Sequence, residues 1–115
     1  IEGPQQKILW LPDIDKWEKW KTPLEKALKD VDVAYLDGTF FANGELPGRD
    51  MSRIPHPFIA ETMGRLKNQP AALRAKVRFI HLNHTNPAHN PKGAAAKAIH
   101  TLGMRVAEQG ERVNL

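Results

Sequence analysis

Residues 7–38 read KILWLPDIDKWEKWKTPLEKALKDVDVAYLDG, and their pattern decides the fold. Residues 7–11 (KILWL) form a short apolar run of buried-strand type, stopped by Pro12. Two helix-start signatures follow: Asp15 with Glu18 fits one capping box, and Thr22-Pro23-Leu24-Glu25 fits a second, with proline at the first helical position. Trp17, Trp20, Leu24, Leu28 and Val31 recur at three- and four-residue spacings, the inward stripe of a helical region. Residues 33–36 (VAYL) are the next strand and break at Asp37-Gly38. Downstream, a helix is expected from Pro57, with His56 at or next to its N-cap and Phe58, Ile59, Met63 and Leu66 inward. A short helical turn starts at Pro70, a third strand covers residues 77–81 (VRFIH), and a helix runs from Pro91 to Leu102 with Gly103 as its C′ residue. Residues 104–108 and 111–115 read as a terminal hairpin around Gln109-Gly110. Alternating strands and helices imply parallel pairing through right-handed crossovers, hence an α/β layered fold.

The chain's 115 residues suffice for one domain with one core, and no internal repeat or linker divides them. Hydrophobic residues make up 41% and charged residues 26%, the balance of a folded globular chain. No apolar run is long enough for a transmembrane helix. Residues 1–20 lack the apolar core of a secretory signal, so a cytoplasmic location is expected. The absence of cysteine removes disulfides, thiolate metal sites and cysteine nucleophiles, leaving histidine and carboxylate for binding a transition metal. The net charge of +4 comes from 17 scattered Lys and Arg residues. Without aromatic residues interleaved among them, nucleic acid ranks last among partners.

In parallel sheets, ligands gather beyond the carboxyl ends of the strands. Asp13 follows the first strand, Asp37 ends the second and His81 ends the third, so all three belong to one edge. Each alone also reads as a turn former, a cap or a hydrogen-bonded structural residue. Together they offer the oxygen and imidazole donors of a hydrolytic zinc, manganese or iron site. His56 lies between prolines in Ile54-Pro55-His56-Pro57, a placement suited to contacting an anion or protonating a leaving group at a helix start. Capping alone is the rival account. His84 lies three residues beyond His81. Residues 39–55, with Gly44, Pro47 and Gly48, form a loop of about seventeen residues, a length at which function is usual.

Four stretches carry a resemblance: Leu11-Pro12-Asp13-Ile14-Asp15-Lys16-Trp17, Leu36-Asp37-Gly38-Thr39-Phe40, Ile54-Pro55-His56-Pro57 and Ile80-His81-Leu82-Asn83-His84-Thr85-Asn86-Pro87. In this order and at these separations they resemble the C-terminal half of the αββα sandwich of metallo-β-lactamase-fold hydrolases, closest to the branch of pyrroloquinoline-quinone biosynthesis protein B. The resemblance covers residues 1–115 as a single unit. It implies one or two divalent metals, zinc foremost, with Asp13 as the bridging aspartate and His81, or alternatively His84, as the late histidine ligand. It implies His56 and Asp37 as catalytic residues, the first near the scissile bond and the second orienting a ligand or relaying a proton. The implied activity is attack of metal-activated water on an ester, amide, lactone or phosphoester of a small-molecule substrate.

The defining His-x-His-x-Asp-His motif of that superfamily is absent, as is the middle histidine ligand, because both lie upstream in its members. The expectation is therefore a domain fragment, in agreement with a start at Ile1. Such a fragment is expected to be inactive alone, to hold metal weakly or not at all, and to pair with its absent N-terminal half or self-associate through an exposed sheet face. The rival class is a non-enzymatic α/β ligand-binding or interaction domain. An RNA-processing phosphodiesterase relative is the third reading.

Overall fold

Each of the three expected strand runs forms a strand, and the reason is the same in each case: branched and aromatic side chains bounded by a residue that stops the ladder. A computed structural model describes all 115 residues. Strands β1 (Ile8–Leu11), β2 (Val33–Asp37), β3 (Val77–Ile80) and β4 (Arg105–Val106) lie in the order β1-β2-β3-β4. All neighbours are parallel, with Leu36 opposite both Leu11 and Phe79, and Asp37 opposite Ile80. Helices α1 (Leu24–Lys29), α2 (Ile59–Leu66), α3 (Ala71–Arg74) and α4 (Ala94–Thr101) fill the crossovers.

A sheet that adds strands in one direction through right-handed crossovers places every helix on the same face. The burial pattern agrees. Ala34, Leu36, Val77 and Phe79 point into the main core with Leu24, Leu28, Ile59, Leu66, Leu73 and Ile99. The alternate residues Ile8, Val33 and Tyr35 form a separate cluster, covered by Ala107 and Val113 of the C-terminal segment. On that second face Trp10 is half exposed and leans on the Tyr35 ring, 5.2 Å between centroids. No helix is long and apolar enough to cross a membrane.

Four local expectations are corrected. Around Asp15 only a 3-10 turn forms, at Trp17–Lys19, and the Asp15 carboxylate accepts from the adjacent Lys16 N–H instead of capping a helix. Pro23 occupies the N-cap of α1, and no side chain caps that helix. Helix α2 starts at Ile59, after His56 and Pro57, because the Phe40 and Phe41 carbonyls accept from the Ile59 and Ala60 N–H groups at 2.9 Å each. Those amides are thus spent within the chain, and His56 is not at a helix start. Finally, there is no terminal hairpin. Residues 105–106 join the sheet in parallel and residues 111–115 form no strand. Glu111 accepts hydrogen bonds from Tyr35 Oη at 2.5 Å and Arg78 at 3.0 Å, which holds the tail across the sheet face. Gly103, with φ of +77°, ends α4 as expected, but that helix starts at Ala94, three residues after Pro91.

Candidate functional site

The carboxyl ends of the strands converge on Asp37. By alternation it shares the face of Val33 and Tyr35, yet it is fully buried. Burial of a carboxylate demands a full set of donors, and Asp37 has four. Its Oδ1 accepts from the Thr39 N–H at 2.9 Å and the Thr39 hydroxyl at 2.7 Å. Its Oδ2 accepts from the Ile14 N–H at 3.1 Å and faces His56 Nδ1 at 2.6 Å. The short distance and the acceptor-only carboxylate place a proton on His56 Nδ1, leaving Nε2 without a partner in the chain.

Gly38 makes this corner feasible. A Cβ there would lie 3.0 Å from both the Ile80 carbonyl and the Phe79 Cβ, so even alanine would crowd β3 and its neighbours would have to give by a few tenths of an ångström. Asn86 fastens the other side: it is buried, its Nδ2 donates to the Gly38 carbonyl at 2.7 Å, and its Oδ1 accepts from the Ala88 N–H at 2.9 Å. The Asn83 N–H donates to the Thr39 carbonyl at 2.9 Å. The Asp-Gly-Thr and Asn-x-x-Asn stretches therefore build one another.

Asp13, Asp37 and His56 each offer one ligand-type atom within 4.8 Å of the others. Asp13 is exposed, with its Oδ1 3.6 Å from His56 Nδ1. His81 joins through Thr39, whose hydroxyl lies 3.1 Å from His81 Nδ1 and 3.4 Å from His56 Nδ1. The two imidazoles are 6.3 Å apart between centroids. Because the Thr39 hydroxyl donates to Asp37, it accepts from His81 Nδ1–H, which leaves His81 Nε2 without a partner in the chain. Thr39 is the residue sequence reasoning missed, since a hydroxyl after Asp-Gly reads as turn chemistry.

His81 has φ of +63°, the one residue other than glycine in the left-handed region. Histidine tolerates this better than branched residues do, at a cost of about 1–3 kcal/mol. This turn of the backbone accompanies the side chain's approach to Thr39. His84 is exposed, and no hydrogen bond or ion pair joins it to the group. His89 and His100 are exposed and lie outside the cluster.

The donor set fits a divalent metal in its chemistry: carboxylate oxygen and imidazole nitrogen, without thiolate. Asp37 already has both oxygens engaged, so the atoms not spent within the cluster are the Asp13 carboxylate and the Nε2 atoms of His56 and His81. The cluster forms one side of an open site. The loop of residues 39–55 walls it, pinned by a small core of Phe40, Met51, Ile54 and Phe58.

No protein-family model and no curated protein sequence matches the chain. Among solved structures it is similar to Zn(2+)-bound PqqB from Methylobacterium extorquens, with a TM-score of 0.70 and 19% sequence identity over 99% of this chain. It spans 42% of that protein's chain, a share that fits a C-terminal portion. Over its whole length, the chain has the α/β fold of the corresponding part of PqqB, the metallo-β-lactamase-type fold.

Proposed function

We propose that this chain is the C-terminal part of a metal-dependent hydrolase acting on an ester, amide, lactone or phosphoester of a small molecule. The observation that carries this reading is the buried Asp37–His56 pair at 2.6 Å, placed beside Asp13 at the carboxyl edge of a parallel sheet. A structural cap would need neither a fully buried carboxylate nor an imidazole aimed away from it. Asp13 and His81 are the residues that would hold metal here, the remaining ligands coming from elsewhere in the whole protein. Zinc is the first choice, as in the structurally similar PqqB, with manganese or iron suited to the same donors. A bound divalent metal supplies Lewis acidity and a water of lowered pKa.

The chain's own residues do the rest. Asp37 holds His56 in the Nδ1–H form, so that Nε2 takes up or delivers a proton at the open side. Thr39 couples His81 to the same carboxylate, so both rings keep fixed directions. The loop of residues 39–55 limits solvent access. Two or three ligands are fewer than a hydrolytic site needs, so the 115 residues alone bind metal weakly and are inactive. Trp10, the large exposed side chain on a sheet face otherwise covered by the C-terminal segment, is the contact offered to the rest of the whole protein, and a second copy of the chain can occupy it when that part is missing. A role in quinone cofactor biosynthesis is the finer form of the proposal. The test is metal content of the whole protein purified without chelator: metal is expected, and it should be lost on Asp13→Ala or His81→Ala. A metal-free protein, or variants with unchanged metal, would favour the non-enzymatic module.

A further inference from the structure

Beside His56 lies a cleft of about 370 Å³, with Thr39, Phe40 and His56 on one side and Arg49 and Arg53 on the loop opposite. The loop is not free to swing. Met51 and Ile54 are buried against Phe40 and Phe58 on either side of Ser52 and Arg53, and the Ile54 N–H donates to the Met51 carbonyl at 3.1 Å. Arg49 and Arg53 are therefore presented from a fixed backbone.

Four of the seven arginines are engaged within the chain. Arg65 is paired with Glu25, Arg78 and Arg105 with Glu111, and Arg74 donates to the Lys67 carbonyl. Arg49, Arg53 and the exposed Arg112 have no carboxylate or carbonyl partner in the chain, and of these three only Arg49 and Arg53 line the cleft. Asp50 also lines the cleft, but its Oδ1 is held by the Ser52 N–H at 3.0 Å and the Ser52 hydroxyl at 2.7 Å. Two guanidinium groups outweigh the single Asp50 carboxylate, which keeps its charge and whose Oδ2 has no partner, so the loop wall is net positive. Phe40 and His56, whose Nε2 has no partner in the chain, line the same cleft.

We infer that this cleft takes an anionic small substrate, with Arg49 and Arg53 binding a carboxylate or phosphate oxyanion and so holding the reacting bond toward His56. The guanidinium fork matches both oxyanions with paired N–H donors. The inference rests on the hydrolase reading and gives it a substrate class.

The test needs neither metal nor turnover. The isotope-labelled 115-residue chain is titrated with inorganic phosphate and, separately, with succinate, at matched ionic strength, following arginine Nε–H, backbone amide and histidine ring signals. Saturable shifts should centre on residues 49–56. Arg49→Gln and Arg53→Gln should each weaken binding about tenfold, the loss of one charge-assisted contact. Arg112→Gln, another exposed arginine but outside the cleft, should leave binding unchanged. Saturation by phosphate alone, succinate alone or both supports the site and says which oxyanion it takes. Unsaturable shifts scattered over lysines, or unchanged binding in the Arg49→Gln/Arg53→Gln double variant, overturn it. The same spectra report the His56 tautomer. An intact Asp37–His56 bond without anion binding defeats this inference alone, whereas anion binding without that bond defeats the hydrolase reading alone.

Discussion

Replacing Asp37 by asparagine keeps the shape of the side chain and removes its charge, so it probes the hub of the site with little change in packing. The Oδ1 side survives, because an amide oxygen still accepts from the Thr39 N–H and hydroxyl. The Oδ2 side inverts: an NH₂ now confronts the Ile14 N–H and His56 Nδ1. The ring can recover by moving its proton to Nε2 and accepting at Nδ1, but the Ile14 N–H cannot. One unsatisfied buried amide costs about 1–3 kcal/mol, and weakening two charge-assisted bonds adds about 1 kcal/mol or more. A loss of about 2–4 kcal/mol follows, out of the roughly 5–15 kcal/mol expected of a domain this size. At about 2 kcal/mol per molar urea, the unfolding midpoint falls by about 1–2 M. Urea titration followed by tryptophan fluorescence measures it, and nitrogen shifts of the His56 ring should show the proton moving from Nδ1 to Nε2. A midpoint within about 0.3 M of the parent, with His56 still protonated on Nδ1, would refute the reasoning.

Thr39→Val should leave His81 Nδ1 without its partner and loosen that ring, whereas Thr39→Ser should restore the parent histidine spectrum. If serine and valine variants behave alike, the hydroxyl does not orient His81. His81→Gly should be more stable than His81→Ala by about 1 kcal/mol, because only glycine relieves a φ of +63°. Equal unfolding midpoints would count against the left-handed turn. On acidification, hydrogen bonding from Arg65 holds the Glu25 carboxyl below its ordinary range. The folded value lies below the unfolded one, so this contribution is present above the usual carboxylate range and disappears as pH falls through the folded value. Glu25→Gln should therefore flatten the acid limb of a stability–pH profile, and an unchanged limb would contradict the pairing.

How much of this was legible in the sequence depends on how local each cause is. Strands β1 to β3 announce themselves as apolar runs ended by Pro12, Gly38 or a polar corner, and their parallel order follows from the intervening helices. Asp13, Asp37 and His81 could be placed on one edge for the same reason. Strand β4 is different: two residues pair with β3 because α4 delivers them there, and no alternation in residues 104–108 marks that direction. The failed hairpin has a distant cause too, since Glu111 is drawn to Tyr35 and Arg78, 76 and 33 residues away in the chain. His56 was found for the wrong local reason. Its flanking prolines suggested a helix start, but its position is set by Asp37 across the site. The Thr39 hydroxyl gave no signal, because its partners His56 and His81 arrive from 17 and 42 residues downstream.

Asp13, Asp37 and His56 bring ligand-type atoms within 4.8 Å of one another, and Thr39 ties His81 to the same carboxylate; a metal at this edge of the sheet depends on that cluster. Paramagnetic broadening by Mn²⁺, added to the isotope-labelled chain, tests that dependence directly. The account predicts weak binding, with broadening centred on residues 13, 37–39, 56 and 81 and abolished in the Asp13→Ala/His81→Ala double variant. Broadening centred on His84, His89 or His100, or spread over the acidic surface and unchanged in that variant, would contradict it.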